Sequence, residues 1–185
     1  MLAKMIPTDT HVGMDVQLRL LEIYLADHLA AATAGAALAR RAAGNNATSE
    51  FGDFLSRLSA EIEEDRQTLR RVVAELGFEP SSAKLMLAWM GERVARLKLN
   101  GRLRGYSPLS RLLELETLSV GIAGKLALWK TLQNIPGVEQ RLAGIDLRQL
   151  LERAMRQRAE VEEHRVEAAQ LAFARVEAPR QPVRR

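Results

Sequence analysis

Apolar residues at steps of three and four run through Phe51, Phe54, Leu55, Leu58, Ile62, Leu69, Val72 and Leu76, and a single carboxylate, Asp65, falls near the middle of the run. That spacing gathers all of them on one face of an α-helix, whereas a strand would alternate their sides at every residue. The face belongs against a core, so Asp65 is directed inward. A carboxylate placed there is strongly unfavourable unless it is paired, protonated or bound to a metal. Function depends on which of these holds.

The remainder of the chain also reads as helix. Its apolar residues, 47% of 185, are mainly Leu and Ala, and aromatics make up only 4%. That bias favours helix over sheet. The first long helix is expected from near Asp15 to about Ala43, stopped by Gly44, Asn45 and Asn46. A second begins at Thr48 or Ser49 and ends at Gly77. Pro80, Ser81 and Ser82 open a shorter helix that closes at Asn100 and Gly101. Ser107 followed by Pro108 is an N-cap with proline at the first helical position, and that helix runs to about Asn134 before Pro136 and Gly137. Asp146, with Gln149 three residues on, resembles a capping box for a last helix reaching about Ala178. Residues 1–14 are read as an N-terminal extension, residues 15–178 as one helical domain and residues 179–185 as a disordered basic tail.

Four of these helices come out at about 27 to 32 residues, roughly 40 Å each. A short turn makes the first two antiparallel neighbours, and the long connection to the third lets the chain cross the bundle before a second hairpin begins. Two long hairpins joined by a crossover, with acids facing inward, resemble the ferritin-like four-helix bundle, with the short helix lying in the crossover. The stretches Tyr24 to Leu29, Ala60 to Asp65 and Leu97 to Leu103 also look like actinobacterial ferritin-like proteins of unassigned role.

The resemblance implies a place to look for metal. Ferritin-like di-metal proteins set a Glu on each of two helices and a Glu-x-x-His on each of the other two, because carboxylates bridge two cations and histidines complete each coordination sphere. Glu22 and His28 flank the stripe Leu18, Leu21, Leu25, Leu29, Ala32 and Ala36 of the first helix. Glu61 lies one turn from Asp65, Glu116 stands in the face Leu109, Leu112, Ser119, Ala123 and Ala127, and His164 flanks Leu150, Ala154, Val161, Ala168 and Ala172 together with Gln157. The candidate ligands for iron or manganese are therefore Glu22, His28, Glu61, Asp65, Glu116 and His164. The motif is broken twice: Glu64 occupies the histidine position after Glu61, and Val161 occupies the glutamate position before His164.

With the motif broken, the expected function is a non-enzymatic structural or interaction protein with a buried polar network, Asp65 being neutralised by an arginine or by His28. The alternative is a di-metal carboxylate protein with redox or oxygen chemistry. Leu20, Ile23 and Tyr24 lie off the main stripe of the first helix and offer a surface for the short helix or for a homodimer partner.

Other signals exclude more than they assign. The absence of cysteine removes disulfides, thiolate zinc sites and cysteine nucleophiles. No apolar run spans a bilayer and Met1 to Gly13 has no signal-type core, so a cytoplasmic protein is expected, without a membrane partner. Gly121 to Leu126 imitates a phosphate loop, but Ser119 replaces its first glycine and Leu126 its magnesium-binding hydroxyl; its small residues are expected to admit a neighbouring helix. The net charge of +4 is mild. The densest basic stretch, with Arg93, Arg96, Lys98, Arg102 and Arg104, is an anion-binding candidate; acids such as Glu61, Glu63, Glu64 and Asp65 would oppose a continuous nucleic-acid surface if they lay beside it.

Overall fold

Local capping chemistry sets the helix boundaries. The computed structural model of the chain describes residues 10–78 and 106–174. Helix α1 spans Thr10–Asn45, α2 Gly52–Glu75, α3 Pro108–Asn134, α4 Val138–Arg141 and α5 Leu147–Phe173. There is no strand among the described residues. The expected short helix, the basic stretch from Arg93 to Arg104 and the tail 179–185 lie outside them.

Ser107 caps α3 as expected: its backbone is extended, its hydroxyl accepts from the Ser110 amide at 3.1 Å, and Pro108 follows. Asp146 caps α5 by accepting from the Gln149 amide at 3.0 Å. The end of α2 is a Schellman motif, with Gly77 at φ 81° and the Phe78 amide bonded to the Val73 carbonyl. Three boundaries differ from expectation. α5 ends at Phe173 rather than at about Ala178. α1 begins at Thr10 rather than near Asp15, because Gly13 weakens a helix without stopping it. α2 begins at Gly52 rather than at Thr48 or Ser49. The Asn46 carbonyl accepts from both the amide and the hydroxyl of Ser49, which folds residues 46–51 into turns. A Cβ at Gly52 would stand 2.9 Å from two carbonyl oxygens of that turn, so the chain passes there only without a side chain.

The core shows how the helices run. One cluster joins Leu25 and Leu29 of α1, Leu69 and Val72 of α2, Trp129 and Leu132 of α3, and Leu150 and Ala154 of α5. The other joins Ala36 and Ala39, Phe54 and Leu58, Leu115 and Leu118, and Val161 and Ala168. Hence α1 and α5 run in one direction and α2 and α3 in the other. Closest packing is within the α1–α2 and α3–α5 pairs and between α1 and α3. Ala36, Ala39 and Ala42, all buried, permit the close approach of α1. The small helix α4, not anticipated from the sequence, follows Gly137 at φ 81° and sets Val138 into the first cluster.

Three expectations about faces need correction. Glu116 does not face the interior: its side chain is 47% exposed and lies 3.9 Å from Arg165. The buried face of α3 is Leu112, Leu115, Leu118, Ile122, Leu126 and Trp129, rotated away from the stripe that contains Glu116. Leu18, expected in the core, is exposed. Among the described residues nothing lies within 4 Å of a Cβ built on Gly121 or Gly124, so no described helix makes the close approach expected there.

Candidate functional site

The steps of four and three that build the helix faces meet in one polar layer. On α2 the series is Leu58, Ile62, Asp65, Leu69 and Val72, on α3 Leu118, Ile122, Lys125, Trp129 and Leu132, and on α5 Leu150, Ala154, Gln157 and Val161. Asp65, Lys125 and Gln157 occupy equivalent core positions, and they lie between the two apolar clusters.

Asp65, 3% exposed, is held by two cations. The Lys125 ammonium donates to its Oδ2, and Arg153 Nη2 stands 2.8 Å from Oδ1, an ionic contact whose angle directs no hydrogen onto that oxygen. Lys125 also donates to Gln157 Oε1. The Gln157 amide nitrogen donates to Glu61 Oε2 at 2.8 Å and more weakly to Asp65 Oδ2 at 3.4 Å, so this one buried amide joins two acids and a cation. Arg153 reaches outward as well, pairing with Glu64 through Nη1 at 2.7 Å. Burial pulls the Lys125 pKa down from the ordinary lysine value, against the upward pull of the Asp65 charge. The Lys125 side chain, 14% exposed, carries its charge into the core because a carboxylate waits there.

The expected ligands do not gather. Of the six, Glu61 and Asp65 meet, through Gln157. His164 stacks on Phe54, with centroids 3.8 Å apart and rings nearly parallel, and its Nδ1 contacts the Glu160 carbonyl. His28 packs edge-on against Tyr24 in the α1 surface, and burial lowers its pKa. Glu22 is partly exposed and Glu116 faces outward. Among the described residues no three His, Asp or Glu side chains form a group able to hold a metal ion. No helix among them is long and apolar enough to cross a membrane.

Sequence reasoning reached Asp65, Glu61 and an arginine partner but passed over Lys125. The signal was present: Lys125 completes the apolar series of α3, where the resemblance to a phosphate loop drew the reading elsewhere. Asn46 was read only as a helix stop. It is 1% exposed, and it bonds Tyr106, Arg111 and the Ala42 carbonyl, tying the first turn to the start of α3.

The chain matches no protein-family model, no curated protein and no solved structure.

Proposed function

We propose that this chain is a ferritin-like helical bundle that acts as a non-enzymatic structural or interaction protein, with protein cations serving where metal ions would serve in a di-metal relative. One observation carries the proposal: the Asp65 carboxylate spans the Lys125 ammonium and the Arg153 guanidinium, one oxygen to each. A carboxylate bridging two metals uses its oxygens in the same way. With both occupied by fixed cations, a dication entering the layer would meet two positive charges at close range.

The antiparallel directions of α1 and α2 and of α3 and α5, with α2 and α3 running the same way, support the ferritin-like assignment. Val16, Leu20 and Ile23 on α1 are each at least half exposed and belong to the same proposal as a homodimer surface. Such a layer fixes register, because any axial slip of α3 past α2 would set Lys125 and Asp65 against apolar groups.

The test is the thermal midpoint of the protein, and of Asp65→Asn, with and without ferrous or manganous ion. A parent midpoint unmoved by metal, with the variant destabilised equally in both conditions, supports the structural role. A metal-dependent rise that is absent from Asp65→Asn would instead favour the di-metal alternative, because a ligand that binds only the folded state must stabilise it. Sedimentation equilibrium of the parent and of Leu20→Glu with Ile23→Glu tests the dimer.

A further inference from the structure

Between α2 and α5, long side chains span the space, and α2 and α5 are not among the closely packed helix pairs. The outer part of that space is an open groove of about 1000 Å³. Glu61 and Arg153, both joined to the buried layer, are among its lining residues.

Charge in the groove is unevenly used. Glu64 is paired with Arg153, whereas Glu61 accepts from the neutral Gln157 amide and keeps its charge. Arg70 and Arg71 on the α2 wall and Arg156 on the α5 wall have no carboxylate partner among the described residues, and Arg71 donates only to the Thr68 hydroxyl at 3.2 Å. Glu61 and Glu152 are the lining acids without a cation partner among the described residues. The groove therefore holds three unpaired guanidinium groups against two unpaired carboxylates, and the three come from two walls.

We propose that this groove binds a small phosphate-bearing polyanion. A planar carboxylate is satisfied by one guanidinium fork, whereas a tetrahedral phosphate accepts from donors on both walls at once. No aromatic side chain among the described residues lines the groove, so these residues hold the ligand by its charge and not by a stacked base. Arg153 belongs both to the groove and to the Asp65 layer, which couples an anion bound there to the middle of the bundle. This site goes beyond the structural role proposed above and stands or falls separately, because its binding groups are Arg70, Arg71 and Arg156 and not Asp65.

Calorimetric titration of the intact chain with inorganic pyrophosphate tests the site. The parent binds one equivalent and binds it more weakly as salt is raised. Arg71→Gln with Arg156→Gln binds at least about tenfold more weakly, the equivalent of one lost charge-assisted contact. Both arginines are exposed, so the thermal midpoint of the variant without ligand stays at the parent value. Absence of binding at millimolar pyrophosphate overturns the proposal, as does undiminished binding by the variant, which would place the anion elsewhere on the chain. Citrate, the carboxylate comparison, binds more weakly than pyrophosphate; tighter binding of citrate would overturn the phosphate assignment.

Discussion

Replacing Lys125 with methionine removes one of the two cations on Asp65 and keeps most of the aliphatic volume, so the change is electrostatic with little cavity contribution. Asp65 is 3% exposed, so water does little to compensate its charge when Lys125 is lost. Removing one partner of a buried ion pair costs about 3–5 kcal/mol. Arg153 remains 2.8 Å from Oδ1, so the low end applies, about 3 kcal/mol. For a chain of this size that is a fall of about 6–12 °C in the thermal midpoint. Asp65→Leu combined with Lys125→Met removes both charges and fills the layer with apolar groups, which is often close to neutral. Urea unfolding of the parent, the two single variants and the double variant closes the cycle. The double variant loses less than the larger single loss. A loss under about 1 kcal/mol for Lys125→Met, or a double variant whose loss equals the sum of the singles, would refute the pairing as the element that holds this layer. Asp65→Asn separates charge from shape. Burial already lowers the Lys125 pKa, and loss of the carboxylate lowers it further. Between that lowered value and 10.5 the unfolded chain then carries a proton that the folded chain lacks, so the stability of Asp65→Asn rises with pH across the window. Lys125→Met, with no ammonium to titrate, shows no such rise.

Four further outcomes are expected. Gly137→Ala places a Cβ on a residue at φ 81° and costs about 1–2 kcal/mol; Gly35→Ala, inside α1 and with open space around it, stabilises by about 0.4–1 kcal/mol, both read by urea unfolding. Asp146→Ala removes the hydroxyl-free carboxylate cap of the α5 amides and costs about 1 kcal/mol, measurable as a lower urea midpoint with an unchanged slope. The Tyr106 pKa is pushed up to about 12, chiefly by burial against a lowering hydrogen bond from Asn46. Its unfolded form ionises near 10 while the folded form keeps its proton, so parent stability falls as pH rises from 10 to 12, and Tyr106→Phe flattens that decline in alkaline thermal melts.

Much of the fold was legible because its determinants are local. The stripe through Phe51 and Leu76, the Ser107–Pro108 start and the Gly77 stop act over one or two turns, where spacing and backbone preference alone decide the outcome. Asp65 was legible for the same reason, as a charge within an apolar series. Glu116 was misplaced because α3 carries apolar residues on most of its surface, so periodicity does not fix which face is buried. The resting place of His164 against Phe54 was hidden because an imidazole on a helix flank serves equally as a ligand or as a packed ring.

The sequence by itself determined that the chain is helical, where α3 and α5 are capped at their starts, and that a carboxylate must be compensated inside. Only the tertiary structure decided what compensates it. Lys125 lies sixty residues along the chain from Asp65 and Gln157 a further thirty-two, so their meeting depends on the rotation and axial register of separate helices. Those are set by the packing of Leu69, Trp129 and Ala154 on one side and of Ile62, Ile122 and Val161 on the other, and no period within a single helix encodes them.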